Sequence, residues 1–261
     1  MALVKHPFNV AFSGQTRYGL ASLNNPLEKD MRFECRGLTF TYPQTDKPVL
    51  ENLNFSMAAP GFNAVFGPSG VGKTSFARIL AGGTSGPGGN ALIYEDIATI
   101  LYSYNQERLP GWSCTGHHLE KVCPKGKSDL KKELVKIFKV DTLLGSRFSQ
   151  LSMGQQNRMN LIRYLIQDFD LLILDESLAN VDEALRETIV LAIKEMFPAK
   201  LFLYISHNLM EVAKFCKDIL VLTHPGKNRG AVVVQGQNYE TGYTSDPRTI
   251  DRSMLEIMNA V

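Results

Sequence analysis

Apolar and polar positions alternate in two runs near the front of the chain. Phe33 and Cys35, then Leu38, Phe40 and Tyr42, step by two across a break at Gly37, and Leu53, Phe55 and Met57 do the same after a turn at 44–48. A period of two predicts half-buried strands, so these runs predict an antiparallel β-layer with a turn or bulge at Gly37. Farther on, the apolar runs are short and unbroken, at 61–66, 97–104, 171–175, 201–205, 219–222 and 231–235. Such runs predict strands covered on both faces, as in a parallel sheet. Helical spacing falls between them: Phe76 to Ala81; Leu130, Leu134, Ile137 and Phe138; Met159, Ile162 and Ile166; Leu185, Ile189, Ala192, Ile193 and Met196, halted before Pro198; and a last helix over 250–258. Residues 1–31 show mixed turn formers and no sustained period, which predicts a peripheral extension, and 84–90 predicts a glycine-rich surface loop. The pattern is that of an α/β protein with a mixed, mainly parallel sheet.

The stretch Gly67, Pro68, Ser69, Gly70, Val71, Gly72, Lys73, Thr74 fits the phosphate-loop spacing G-x-x-x-x-G-K-[ST], with a predicted strand before it and a helix after it. Glycines let the backbone turn its N–H groups toward phosphate oxygens, and the helix beginning near Ser75 adds its positive end. Lys73 then supplies charge for the β- and γ-phosphates and Thr74 a hydroxyl for Mg²⁺.

Other strand ends carry chemistry too. The run 171–174 ends in Asp175 and Glu176, suited to holding Mg²⁺ through water and to orienting an attacking water. Ser206 and His207 follow 201–205, where a histidine is placed to meet the γ-phosphate. Gln106 follows 97–104; a glutamine there reaches a metal or water at the site's edge, or is simply solvated. Ser152 and Gly154 sit at the start of the helix after Leu151, which places a hydroxyl and backbone N–H groups to face an anion at a second helix start.

Composition narrows the class without choosing a partner. The 261 residues are 44% hydrophobic and 21% charged with net charge +2, ordinary for a globular protein and no support for nucleic-acid binding. No apolar run approaches the roughly 20 residues that span a bilayer, and the N-terminus lacks the order of a secretory signal, so a cytoplasmic protein is expected. Cys35, Cys114, Cys123 and Cys216 lack paired spacing and read as reduced thiols. Cys114, His117, His118 and Cys123 have zinc-ligand chemistry, but their spacing fits the usual sites poorly. Lys125, Lys127, Lys131, Lys132, Lys136 and Lys139 read as a solvated helix face.

With these pieces in this order, the chain resembles the nucleotide-binding subunit of ATP-binding cassette (ABC) transporters over about residues 32–235. The resemblance implies one ABC ATPase domain over 32–261: a phosphate-loop NTPase core, an antiparallel β-layer and a helical lobe at about 107–167. It implies that Tyr42 stacks on adenine, that Gln106 lies between the core and helical lobes, and that Leu151, Ser152, Met153, Gly154 and Gln155 form the signature loop. Asp175 and Glu176 match the metal-holding and catalytic carboxylates, Asp182 the dimer-contact loop, and His207 the switch histidine. Nucleotide binding is then shared by Tyr42, 67–75, Gln106, Ser152, Gly154, Gln155 and Asp182, with Thr74, Gln106 and Asp175 toward Mg²⁺. Met153 stands where the family usually has glycine, and Ser177 where it has proline.

The family's members pair head to tail around two ATP, so a homodimer is expected, joined to a separate membrane permease at the inner face of the cell membrane. Gln106 to Trp112 is similar to the corresponding stretch of nitrate, sulfonate and taurine importers, with Gly111 inserted. A rival of another class is a soluble ABC ATPase acting on a protein assembly, of the iron–sulfur scaffold type. A phosphate-loop kinase would need neither a signature loop nor a switch histidine.

Overall fold

A computed structural model describes residues 31–58, 60–82, 92–109, 112–224, 231–242 and 246–261. The expected extension up to residue 30, the stretch 83–90 and Gly111 lie outside the described residues. The chain forms β1 (Arg32–Phe40), β2 (Leu50–Ala58), β3 (Gly61–Phe66), α1 (Lys73–Leu80), β4 (Leu92–Glu95) and β5 (Ile100–Tyr104). Helices α2 (Thr115–Val122), α3 (Ser128–Ile137) and α4 (Met153–Leu165) follow, then β6 (Leu171–Asp175) and α5 (Glu183–Met196). The chain continues through β7 (Leu201–Ile205), α6 (Leu209–Phe215), β8 (Asp218–Leu222), β9 (Ala231–Gln235) and α7 (Pro247–Ala260).

The alternating runs pair as the pattern predicts. β1 and β2 are antiparallel, with Cys35 opposite Phe55 and Leu38 opposite Leu53, and the register shifts between these pairs. Gly37 sits in that shift at φ +65, a conformation costly for any residue with a Cβ. β4 joins the other side of β1, giving the order β2-β1-β4.

The unbroken runs form a six-stranded sheet of order β5-β6-β7-β3-β8-β9, parallel except for the β8–β9 pair. Strands β3, β6, β7 and β8 are buried on both faces because successive side chains enter different cores. Leu171, Ile173, Leu201, Leu203 and Ile205 face α1 and the antiparallel layer, through Phe33, Phe55, Phe76 and Leu80. Leu172, Leu174, Phe202 and Tyr204 face the opposite core, with Met159 and Ile162 of α4 and Ile189 and Ile193 of α5.

Several features differ from the pattern's prediction, among them the short α6, which the sequence reading does not name. β5 begins at Ile100, not at residue 97, because the Asp170 carboxylate accepts the N–H groups of Ala98 and Thr99 at 3.0 Å and withdraws them from the ladder. β4 is only four residues long, too short for alternation to register. α2 buries just Thr115 and Leu119, so its sequence carries little helical stripe. The lysine face is not wholly solvated: Lys131 is buried and pairs with Glu120 of α2, and Lys127 reaches Asp168 at 2.5 Å. Lys125, Lys132, Lys136 and Lys139 are exposed as expected.

Candidate active site

Strand order places the chemistry. β6, β7 and β3 are consecutive neighbours, so Asp175 and Glu176, then Ser206 and His207, then the loop 67–72 all emerge at one edge, with Gln106 beyond β5. The carboxyl ends of parallel strands are where α/β sheets bind ligands.

The loop glycines are held by space as well as by backbone angle. Gly67 has φ +150, and a Cβ on it would lie 2.5 Å from the Leu222 carbonyl oxygen of β8. Gly72 caps α1 at φ +101, where a Cβ would meet Leu50 Cδ2 at 2.8 Å. Pro68, Ser69, Gly70 and Val71 complete the turn, Val71 buried and Ser69 and Gly70 exposed. The first helical residue is Lys73, whose Nζ donates to the carbonyls of Gly67 and Pro68, each at 2.8 Å. Lysine has three donors, so this bracing still leaves one for an anion in the loop. Burial pushes the Lys73 pKa down, and the charges of Glu176 and Asp175 oppose that shift. Ser75 turns its hydroxyl to Tyr42, 2.9 Å away, which fixes Tyr42 beside the start of α1.

Asp175 is 6% exposed. Burial raises its pKa, while hydrogen bonds from Tyr102 and Thr74 act against the rise. The Tyr102 hydroxyl donates to Asp175 Oδ2 at 2.8 Å. Glu176 follows at φ +53, a left-handed conformation at the end of an extended strand. Its Oε1 lies 2.7 Å from His207 Nε2, and both side chains reach solvent. Ser177, in the place of the family's proline, is buried and donates to the Ser103 carbonyl at 2.9 Å, tying β6 to β5. Gln106 is exposed at φ +67 between two fixed neighbours. Asn105 N–H donates to the Asp175 carbonyl at 2.9 Å, and the buried Glu107 carboxylate accepts from Tyr164 at 3.0 Å and Arg163 at 3.4 Å.

Glu211 fixes the loop that carries His207 from below. Its carboxylate accepts from Tyr204 and Asn208 at 3.0 Å each, from Ser206 at 3.4 Å, and pairs with Arg186 of α5 at 2.9 Å. Two of those donors, Ser206 and Asn208, flank His207.

Ser152 and Gln155 form a reciprocal cap at the start of α4: Gln155 Oε1 accepts from Ser152 N at 2.9 Å and Ser152 Oγ from Gln155 N at 3.4 Å. Met153 opens the helix with an exposed side chain and no positive φ, so methionine meets no backbone obstacle there. Gly154 is needed for another reason: a Cβ on it would lie 2.1 Å from the Asn180 carbonyl oxygen. The signature residues thus touch the 177–182 loop, and no hydrogen bond joins them to the phosphate loop among the described residues. Asp182 caps α5 by accepting from Leu185 N at 2.9 Å. Asp182→Ala removes that cap and is expected to cost about 1 kcal/mol, lowering the melting temperature by about 2–4 °C in a thermal scan without nucleotide.

Sequence reasoning missed Tyr102, Asn105, Asn157 and Glu211. Asn157 Nδ2 donates to both Asn105 Oδ1 at 3.0 Å and the Ala179 carbonyl at 2.8 Å, joining α4 to two loops. The available signal was a polar row on α4, Asn157, Asn160 and Arg163, all buried. Cys114 and Cys123 flank opposite ends of α2, and no group of three or more His, Cys, Asp or Glu is placed to hold a metal ion among the described residues.

A glycine loop with a buried lysine, beside two strand-end carboxylates on a parallel sheet, defines a phosphate-loop nucleotide-binding protein. The chain belongs to the ABC transporter family, whose model matches residues 50–179. It is 28% identical over 243 residues to the molybdenum import ATP-binding protein ModC of Saccharophagus degradans, covering 85% of this chain and 65% of the relative. It is 27% identical over 244 residues to the taurine import ATP-binding protein TauB of Pseudomonas putida, covering 85% and 91% respectively. A bacterial Atm1-family ABC exporter solved with ATP bound superposes with TM-score 0.67 at 19% identity, over 92% of this chain and 44% of that one. The chain therefore spans about two thirds of ModC, nearly all of TauB, and less than half of the exporter.

Proposed function

We propose that the chain is the ATP-hydrolysing subunit of an ABC importer, pairing head to tail with a second copy around two ATP and driving solute passage through a separate membrane permease. The observation that carries the hydrolytic part is the 2.7 Å contact between His207 Nε2 and Glu176 Oε1, beside a phosphate loop whose Lys73 feels both strand-end carboxylates. Glu176 takes a proton from the water that attacks the γ-phosphate in line. Lys73 and His207 stabilise the charge that spreads over the transferring group. Tyr42 offers its ring to the adenine, and 67–75 cradle the phosphates. The signature residues Ser152, Gly154 and Gln155, with Gln106 and Asp182, close over the nucleotide held by the other copy.

The donor chemistry fits Mg²⁺. Thr74 and Asp175 are hydrogen-bonded hard-oxygen groups at the phosphate edge, and Mg²⁺ is commonly held by one or two carboxylates together with substrate phosphates. Thr74 and Asp175 would hold it, with Gln106 at its rim; when bound, it neutralises charge between the β- and γ-phosphates.

The import direction rests on relatives named as import ATP-binding proteins, and these do not favour the soluble-assembly alternative. Their cargoes differ, molybdenum for one and taurine for the other, so the motor is assigned and the cargo is not. Among the described residues no helix is long and apolar enough to cross a membrane, which suits a subunit that docks peripherally at the inner face. The deciding experiment is a pull-down of tagged Glu176→Gln protein from detergent-solubilised host membranes and, separately, from cytosol. A multispanning membrane protein that co-purifies is the expected result. Recovery of soluble assembly proteins alone would overturn the transport reading.

A further inference from the structure

Tyr102 belongs to β5, not to the phosphate loop or to the strand bearing the carboxylates. We propose that it is a positioning residue for the divalent cation, holding one oxygen of Asp175 by its hydroxyl so that the rest of the carboxylate stays aimed at the metal's side. The inference rests on the reading of Asp175 as the metal-holding carboxylate.

The sheet register sets up the contact. β5 and β6 are parallel, with Tyr102 opposite Ile173 and Tyr104 opposite Asp175. Side chains two apart share a face, so Tyr102, Tyr104, Ile173 and Asp175 all project toward the α1 side. Tyr102 starts one pair below Asp175, and a phenol is long enough to climb that step: its hydroxyl ends 2.8 Å from Oδ2. The ring is anchored, 9% exposed and stacked on Tyr104 with centroids 5.5 Å apart. The Arg78 guanidinium of α1 acts on the same phenol. It lies one helical turn beyond Thr74, so the residue that polarises Tyr102 and the hydroxyl expected at the metal share one helix face.

The terminal torsion of aspartate is a broad, nearly two-fold rotor. A buried carboxylate with one oxygen held by a fixed donor loses that freedom, which is how residues behind a metal's ligands usually act. The arrangement divides the work: Tyr102 holds Oδ2 from within the sheet, and Thr74 acts on the same carboxylate from the helix.

Tyr102→Phe keeps the ring, its stack on Tyr104 and the core contacts, and deletes only the hydroxyl. The probe is Mn²⁺ in place of Mg²⁺, titrated into protein with a non-hydrolysable ATP analogue and followed by electron paramagnetic resonance, with analogue binding in EDTA measured in parallel. The expected result is about a 10-fold weaker hold on the cation, unchanged analogue affinity in EDTA and an unchanged melting temperature. Parental cation affinity in Tyr102→Phe, or an equal loss with and without the cation, overturns the proposal. Asp175→Asn separates the two claims: if it binds Mn²⁺ as the parent does, the reading of Asp175 itself fails. Should Tyr102→Phe melt early, the cation titration is repeated well below its melting transition, where the same loss of cation affinity is expected and parental affinity still overturns the proposal.

Discussion

Glu176→Gln should lower ATP hydrolysis by about 10²–10⁴-fold, the usual loss when a positioned base is removed, while ATP still binds. The amide is nearly isosteric with the carboxylate, so the 2.7 Å approach of His207 and the loop around it have no steric reason to move. What disappears is the ability to accept a proton from water. Binding is spared because the phosphate cradle is built elsewhere, from 67–72 and the carbonyl-braced Lys73. One electrostatic change accompanies the substitution: Glu176 and Asp175 both support the charged form of Lys73 against its burial, and the variant leaves Asp175 alone in that task. Unhydrolysed ATP should then accumulate the closed pair, since a ligand touching both copies only in the closed state shifts the population toward it. Phosphate release reads the first effect and size-exclusion chromatography with ATP the second. Hydrolysis at the parental rate would remove Glu176 from the role of base.

Gly154→Ala should destabilise the protein by about 2 kcal/mol or more and displace the signature loop, against the sign expected from helix propensity. In an open helix, alanine for glycine gains about 1 kcal/mol. Here the new methyl would sit 2.1 Å from the Asn180 carbonyl oxygen, and the obstacle is backbone, unable to rotate away as a side chain would. Overpacking typically costs about 1–3 kcal/mol when side chains absorb it, and the cost rises when a loop must shift. Displacing that loop disturbs Asp182, the cap of α5, and Ser152, the cap of α4. A melting temperature at least about 4 °C below the parent and a sharp fall in ATP-dependent dimerisation are the expected readings. An equal or higher melting temperature would show that Asn180 yields freely.

The phosphate loop, both sheets and most helices were legible because their signals are local. Alternation marks 33–42 and 53–57, unbroken runs mark the parallel strands, and eight contiguous residues carry the loop's chemistry. The meeting of Glu176 and His207 was within reach because two buried strands end in polar groups. What stayed hidden depends on partners far along the chain. Asn157, Asn160 and Arg163 look like a solvent-facing row until their partners Asn105 and Glu107, about fifty residues earlier, are brought alongside. Tyr102 reads as one more aromatic strand residue, since nothing in a sequence says which acceptor lies within 2.8 Å of its hydroxyl. At Gly154 the sequence offers only a backbone N–H for an anion; that its missing side chain also makes room for Asn180 depends on a contact 26 residues away.

The single amide of Asn157 bonds to both Asn105, beside Gln106, and Ala179, in the loop that ends at Asp182. Three segments that look independent along the chain are therefore one unit of inheritance. A change in any of them alters the fitness of changes in the other two, because residues sharing a hydrogen-bond network do not contribute additively. A signature helix grafted from a relative into this chain would have to carry, at position 157, a donor that still reaches the Asn105 side chain and the carbonyl of residue 179.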